Sequence, residues 1–216
     1  MAKQDRLGKR KQRTSFNTRV PDLGYYCIVT DTKETEQNYM EGFKNSLPKK
    51  LQGRIVIKVS KAKTEDLVNA CKYQAALVPQ YSEAWIIFDR DKVIKFDEII
   101  FNAKTEGINV GWSNPCIEIW FDAYFGKIHP YHDSVICCRE FGVTFEKKTG
   151  QEYKKADKQV YNLLSRFGDE SRAINIAETR YLQHMREGKY KPSEMCPCTT
   201  VHRLIDEIKE KIERSL

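Results

Sequence analysis

Between residues 25 and 113, four short apolar runs alternate with stretches of helical period, and this alternation leaves the chain few architectures. "YYCIVT" (25–30), "RIVIKVS" (54–60), "EAWIIFDRD" (83–91) and "INVGWS" (108–113) are short enough for strands and apolar enough to be covered on both faces. Between them, "ETEQNYMEGFKNSL" carries Tyr39, Phe43 and Leu47 at helical spacing. Thr64 is placed to cap a helix with Glu65 and Asp66 in its first turn and Leu67, Val68, Cys71 and Ala75 on its buried face. "KFDEIIFNAKTEG" supplies another helix that Gly107 can end. Connections of this length are crossovers, so the pattern predicts an α/β fold: a mainly parallel sheet with helices on both faces.

The rest of the chain sorts around that core, taken as residues 23–128. Residues 1–22 form a basic arm with no apolar period, expected to be disordered. Seven basic residues against Asp5 place +6 of the net +7 charge in residues 1–19. Lys9, Arg10, Lys11 and Arg13 of this arm can contact a phosphate backbone without reading sequence, although a solubilising tail has the same composition. Residues 129–216 read as a mainly helical section packed on the core. "QEYKKADKQVYNLLSRFG" turns helical near Ala156, and "ESRAINIAETRYLQHMREG" follows as a second helix. In the last helix Val201, Leu204, Ile205, Ile208 and Ile212 form one stripe.

Several classes of function find no footing. No run approaches the roughly 18 to 20 apolar residues a membrane span needs, so no membrane partner and a cytoplasmic location are expected. Seven cysteines, two of them adjacent at 137 and 138, suit a reducing compartment. Neither a P-loop nor a dinucleotide-binding glycine motif nor a nucleophile elbow is present. Cys196, Cys198 and His202 offer three zinc ligands with no clear fourth, and His202 reads better as a capping or supporting residue.

The acids at the strand ends carry the chemistry. In an open parallel sheet, ligands gather at the carboxyl ends of the strands. Asp31 follows the first strand, and Asp89 and Asp91 close the third. In an extended "DRD" the two carboxylates share one side while Arg90 points away, a geometry suited to one hard divalent cation. A single Asp after a strand more often shapes a turn or caps a helix, so Asp31 gains weight only with the pair. In "SNPCIEIW", Pro115 suits the first turn of a helix with Ser113 or Asn114 as its cap, which places Glu118 one turn in as a metal or water-orienting ligand, or as a cap-satisfying acid. Trp120 reads as core. Lys154 and Lys155 precede the next helix; a lysine there can stabilise negative charge on a phosphoryl group or remain solvated.

An acid after the first strand and D-x-D after a later one is the layout of a Toprim domain. "IVTDTKETEQNY", "IIFDRD" and "WSNPCIEIWFDAYF" resemble three ordered signatures of the RloB-like family: a strand ending in E-G-x-K-T-E-x-x-Y, then D-x-D, then S-N-P-x-x-E-x-W. The resemblance runs over most of residues 25–216 and weakens after Phe125. It implies a Toprim-type, Mg²⁺- or Mn²⁺-dependent nuclease of bacterial antiphage defence, acting on DNA or RNA, tRNA included, and often accompanied by an AAA-type or ABC-type ATPase. It also implies metal at Asp31, Asp89 and Asp91, and a general acid/base at Asp31.

The chain departs from the family pattern in one place. Asp31-Thr32 stands where relatives have Glu-Gly, and Lys33-Glu34 where they have Glu-Lys. The shorter side chain retracts the carboxylate by roughly 1.5 Å, and Thr32 lacks the backbone freedom of Gly. Either Asp31 serves as it stands, or Glu34 or Glu36 supplies the carboxylate, or the chain is a non-catalytic subunit that binds nucleic acid or docks on an ATPase. A homo-oligomer is left open.

Overall fold

The computed structural model describes residues 24–31, 35–60, 63–78 and 80–214. Lys9, Arg10, Lys11 and Arg13 of the basic arm, and Glu34 of the first motif, lie outside the described residues.

The alternation resolves into strands β1 (Tyr25–Thr30), β2 (Ile55–Val59), β3 (Tyr81–Asp89) and β4 (Asn109–Asn114). Helices α1 (Thr35–Ser46) and α2 (Lys49–Gln52) follow β1, α3 (Leu67–Ala76) follows β2, and α4 (Phe96–Thr105) follows β3. The sheet order is β2-β1-β3-β4, all parallel, with one further short strand on the outer edge of β4. Successive β1 residues feed two cores, as alternation along a strand requires. Tyr26 and Ile28 pack with one set of helices, whereas Cys27 and Val29 pack with α3 and α4 on the other face. This is the α/β, Toprim-like sheet the sequence pattern predicts, completed by a helical C-terminal section.

That section contributes more than a helical layer. After α5 (Glu118–Tyr124), α6 (Ser134–Thr149), α7 (Val160–Phe167) and α8 (Glu170–Arg186), the chain returns to the sheet as β5 (Cys198–Thr199), antiparallel to β4, and ends in α9 (Val201–Glu213). Val201, Leu204, Ile205 and Ile208 are fully buried, so the apolar stripe of α9 docks on the body. Every residue of α5 is buried, which makes it the central helix of the larger core.

Three local expectations are corrected. Thr64 does not cap α3 by its side chain: it opens a short 3₁₀ turn (Thr64–Asp66) ahead of the helix, and its hydroxyl donates to Asp31 Oδ2 at 3.3 Å. Ser113 and Asn114 are not helix caps, because they stay in β4 as partners of Asp89 on one side and of Thr199 and Cys198 on the other. Pro115, joined to Asn114 by a cis peptide, is therefore not the first helical residue; α5 starts at Glu118. Gly107 meets its expectation: φ of 71° lets it close α4 in the left-handed region.

Candidate active site and metal centre

In the order 2-1-3-4, the chain leaves β1 toward β2 on one side and reaches β3 on the other. The crevice between the carboxyl ends of β1 and β3 is thus the switch point where an open α/β sheet binds ligands. A cavity of about 450 Å³ opens there, and Asp31, Glu36, Asp89, Asp91, Glu118 and Lys155 all line it.

Each acid arrives on a different element. Asp31 is the first residue past β1, and Glu36, buried, sits in the first turn of α1. Asp89 ends β3. Its Oδ2 accepts the Ile117 backbone N–H at 2.9 Å, while its Oδ1 is sealed from solvent without a hydrogen-bond partner among the described residues. Burial first, and then the negative fields of Glu36, Glu118 and Asp31, push the Asp89 carboxyl well above its ordinary range, against the pull of the Ile117 amide. Asp91 also reaches the cavity, but not by strand alternation: β3 has ended, Arg90 N–H bonds Ser113 O, and Asp91 turns back with φ of 28°. Asp is one of the few side chains that accept this region through local hydrogen bonds; here the Asp91 N–H bonds Pro115 O and its carboxylate accepts from Ser134 Oγ at 2.6 Å.

Glu118, almost wholly buried, projects from the first turn of α5 and accepts the Tyr153 hydroxyl at 2.9 Å. Lys155 faces it. Burial disfavours the Lys155 ammonium, yet Glu118 and Cys138 outweigh burial and raise its pKa, so the cation is held charged. Lys154 is placed elsewhere: its side chain is 71% exposed, pairs with Glu152 at 3.5 Å and borders a separate outer depression. Adjacent residues of the irregular segment before α7 diverge, and contacts of α1 set which one turns inward. Thr35 Oγ1 donates to Lys155 O at 2.8 Å and Asn38 Nδ2 to Ala156 O at 2.9 Å.

The donor set passes a chemical test for a hard divalent cation. Three further carboxylates, Glu36, Glu118 and Asp31, act on the buried, unsatisfied Asp89 oxygen, a costly arrangement in the absence of positive charge and one that oxygen-seeking Mg²⁺ or Mn²⁺ would relieve. A second, softer group beside it has no signature in the sequence: Cys116 Sγ, Cys138 Sγ and a Glu118 carboxylate oxygen all lie within 4.8 Å of one another. Cys116 is internal to "SNPCIEIW", but Cys138 lies 22 residues on and is brought in by α6. Cys196, Cys198 and His202 do not converge in this way. Cys196 Sγ contacts Tyr131 O, and His202 Nε2 meets Glu178 at 2.8 Å.

Fold and site together define an α/β protein with an acidic, lysine-bearing cavity at the sheet's switch point. The chain belongs to the RloB-like protein family, whose pattern matches residues 26–208. No curated protein and no solved structure matches it. No helix among the described residues is long and apolar enough to cross a membrane.

Proposed function

We propose that the protein is a metal-dependent nuclease that hydrolyses phosphodiester bonds of DNA or RNA. The observation that carries this reading is the convergence of Asp31, Glu36, Asp89, Asp91 and Glu118 on one cavity around the unsatisfied Asp89 Oδ1. Asp89, Asp91, Asp31 and Glu118 would hold Mg²⁺ or Mn²⁺, which supplies charge neutralisation at the scissile phosphate and a more acidic bound water.

The chain's own groups account for the remaining requirements. Asp31, half-buried past the end of β1, and Glu36, buried in the first turn of α1, are the carboxylates placed to take a proton from the attacking water. Lys155 presents a permanent cation where negative charge develops on the phosphoryl oxygens. Tyr153, by donating to Glu118, fixes which of its oxygens faces the cavity. The role as an antiphage effector controlled by an AAA-type or ABC-type ATPase rests on the resemblance of the three motifs to the family. The test is incubation of the purified full chain with plasmid DNA, single-stranded DNA and total tRNA, with and without Mg²⁺ or Mn²⁺. Cleavage that needs the metal and disappears in Asp89→Ala is expected. Absence of cleavage with either metal, both for the chain alone and together with the ATPase, rejects the reading.

A further inference from the structure

The thiols beside the cavity have no part in the chemistry above. Cys116 is buried and lines the cavity, Cys138 is partly exposed on α6, and their sulfurs stand 4.0 Å apart. Two thiolates on one tetrahedral zinc, with Zn–S legs of about 2.3 Å, stand about 3.8 Å apart. The observed separation is thus already that of a zinc pair and is far too long for a disulfide, and Glu118 completes three ligands within 4.8 Å. No other set of His, Cys, Asp or Glu side chains gathers this tightly among the described residues.

We propose that Cys116, Cys138 and Glu118 form a Zn²⁺ site whose fourth position opens on the acidic cavity. Soft thiolates select zinc over magnesium, whereas the all-oxygen set next to it does the reverse, so the two sites sort the two ions by chemistry. Charge closes as well: two thiolates and one carboxylate balance Zn²⁺ together with the neighbouring Lys155 ammonium. An open fourth position is the mark of a zinc site that exchanges ligands, in contrast to a closed structural one. Glu118 belongs to both groups. Zinc here draws it out of the hard-ion cluster and lowers Mg²⁺-dependent cleavage; this consequence rests on the nuclease reading, but the zinc binding does not.

The test is spectroscopic and needs no activity. The full chain, kept reduced, is titrated with Co²⁺ and then with Zn²⁺. Expected are a thiolate-to-cobalt charge-transfer band that saturates at one equivalent, the visible bands of tetrahedral cobalt, loss of both on adding zinc, and no response to excess Mg²⁺. Cys138→Ser, at a partly exposed position that tolerates the change, weakens zinc affinity by at least about a hundredfold. Cys116→Ser does the same, and Cys196→Ser leaves the spectrum unchanged. A missing charge-transfer band, a band that survives in the Cys116→Ser/Cys138→Ser double variant, or one that vanishes in Cys196→Ser overturns the proposal.

Discussion

Asp89 and Ile117 are joined by one short hydrogen bond, Ile117 N–H to Asp89 Oδ2 at 2.9 Å, which ties the end of β3 to the start of α5 and leaves the other carboxylate oxygen buried and unpaired. The folded-state pKa of Asp89 therefore lies above its unfolded value, so ionising it opposes folding. The penalty is absent below the ordinary value of 3.8 and grows as pH rises through the folded one. Asp89→Asn, which still accepts the Ile117 amide, should make the metal-free protein more stable at neutral pH by roughly 1–3 kcal/mol and abolish the stabilisation by Mg²⁺. Thermal melts with and without metal check both. A metal-free variant less stable than the wild type would show the charge to be structural.

On the nuclease reading, Asp31 and Glu36 are the two candidates for proton transfer. Asp31→Asn keeps the shape of the side chain and removes its basicity, so cleavage should fall by about two to four orders of magnitude with metal-dependent stabilisation retained. The same result in Glu36→Gln, with Asp31→Asn active, would move the working base into α1. Single-turnover cleavage beside a thermal melt separates the cases.

Lys155 and Lys154 should differ sharply despite being adjacent. Lys155→Met is expected to lower the cleavage rate by about two orders of magnitude, whereas Lys154→Met, at an exposed position paired with Glu152, should stay within about twofold of wild type. Equal effects would mean that neither lysine faces the scissile phosphate.

Histidine burial sets an acid limit. His202 is packed under α8, and burial holds its pKa below the ordinary 6.5 against the opposing pull of Glu178; burial lowers His184 similarly. The unfolded chain therefore takes up protons first, and stability should fall as pH drops below about 6.5. Urea midpoints at about pH 7.5 and about pH 5.5 should fall further apart in wild type than in His202→Gln. An equal pH dependence in the two proteins would place the acid sensitivity elsewhere.

Gly42 is where α1 meets α7. A Cβ built there would stand 2.5 Å from the Tyr161 Cβ, a contact backbone movement alone can relieve. Gly42→Ala should destabilise the fold by about 1–3 kcal/mol despite the better helix propensity of Ala. An unchanged urea midpoint would show that the helices move apart freely.

Strand ends, and the Asp at the end of β1 and of β3, were legible because their signals are local: apolar runs and a terminal acid. The i, i+2 spacing was not what placed Asp91, which the turn after β3 carries to the cavity. Helix α1 could be read from Tyr39 and Phe43 for the same reason. Where tertiary pairing decided the outcome, the local signal misled. "SNP" looks like a helix start, but Ser113, paired with Asp89 and Thr199, and Asn114, paired with Cys198, stay extended in the sheet. β5 has two residues, too few for any alternation, and α6 exposes Val135, Ile136 and Val143, which blurs its period. The choice of Lys155 over Lys154 depends on Thr35 and Asn38, more than a hundred residues away, and the meeting of Cys138 with Cys116 depends on how α6 docks.

The complete burial of α5 gives the cavity two walls of unequal stiffness. The amides of a helix enclosed on every side exchange with solvent only when the whole domain opens. Glu118 on that helix, and Asp89 bonded to the residue just before it, therefore form a fixed anvil. The opposite wall, with Asp31 beyond the end of β1 and Asp91 in a solvent-exposed turn, sits on irregular chain, where the Thr64 and Ser134 hydroxyls donate to the two carboxylates. A substrate of irregular shape would be accommodated on that side while the reacting centre stays registered against the core.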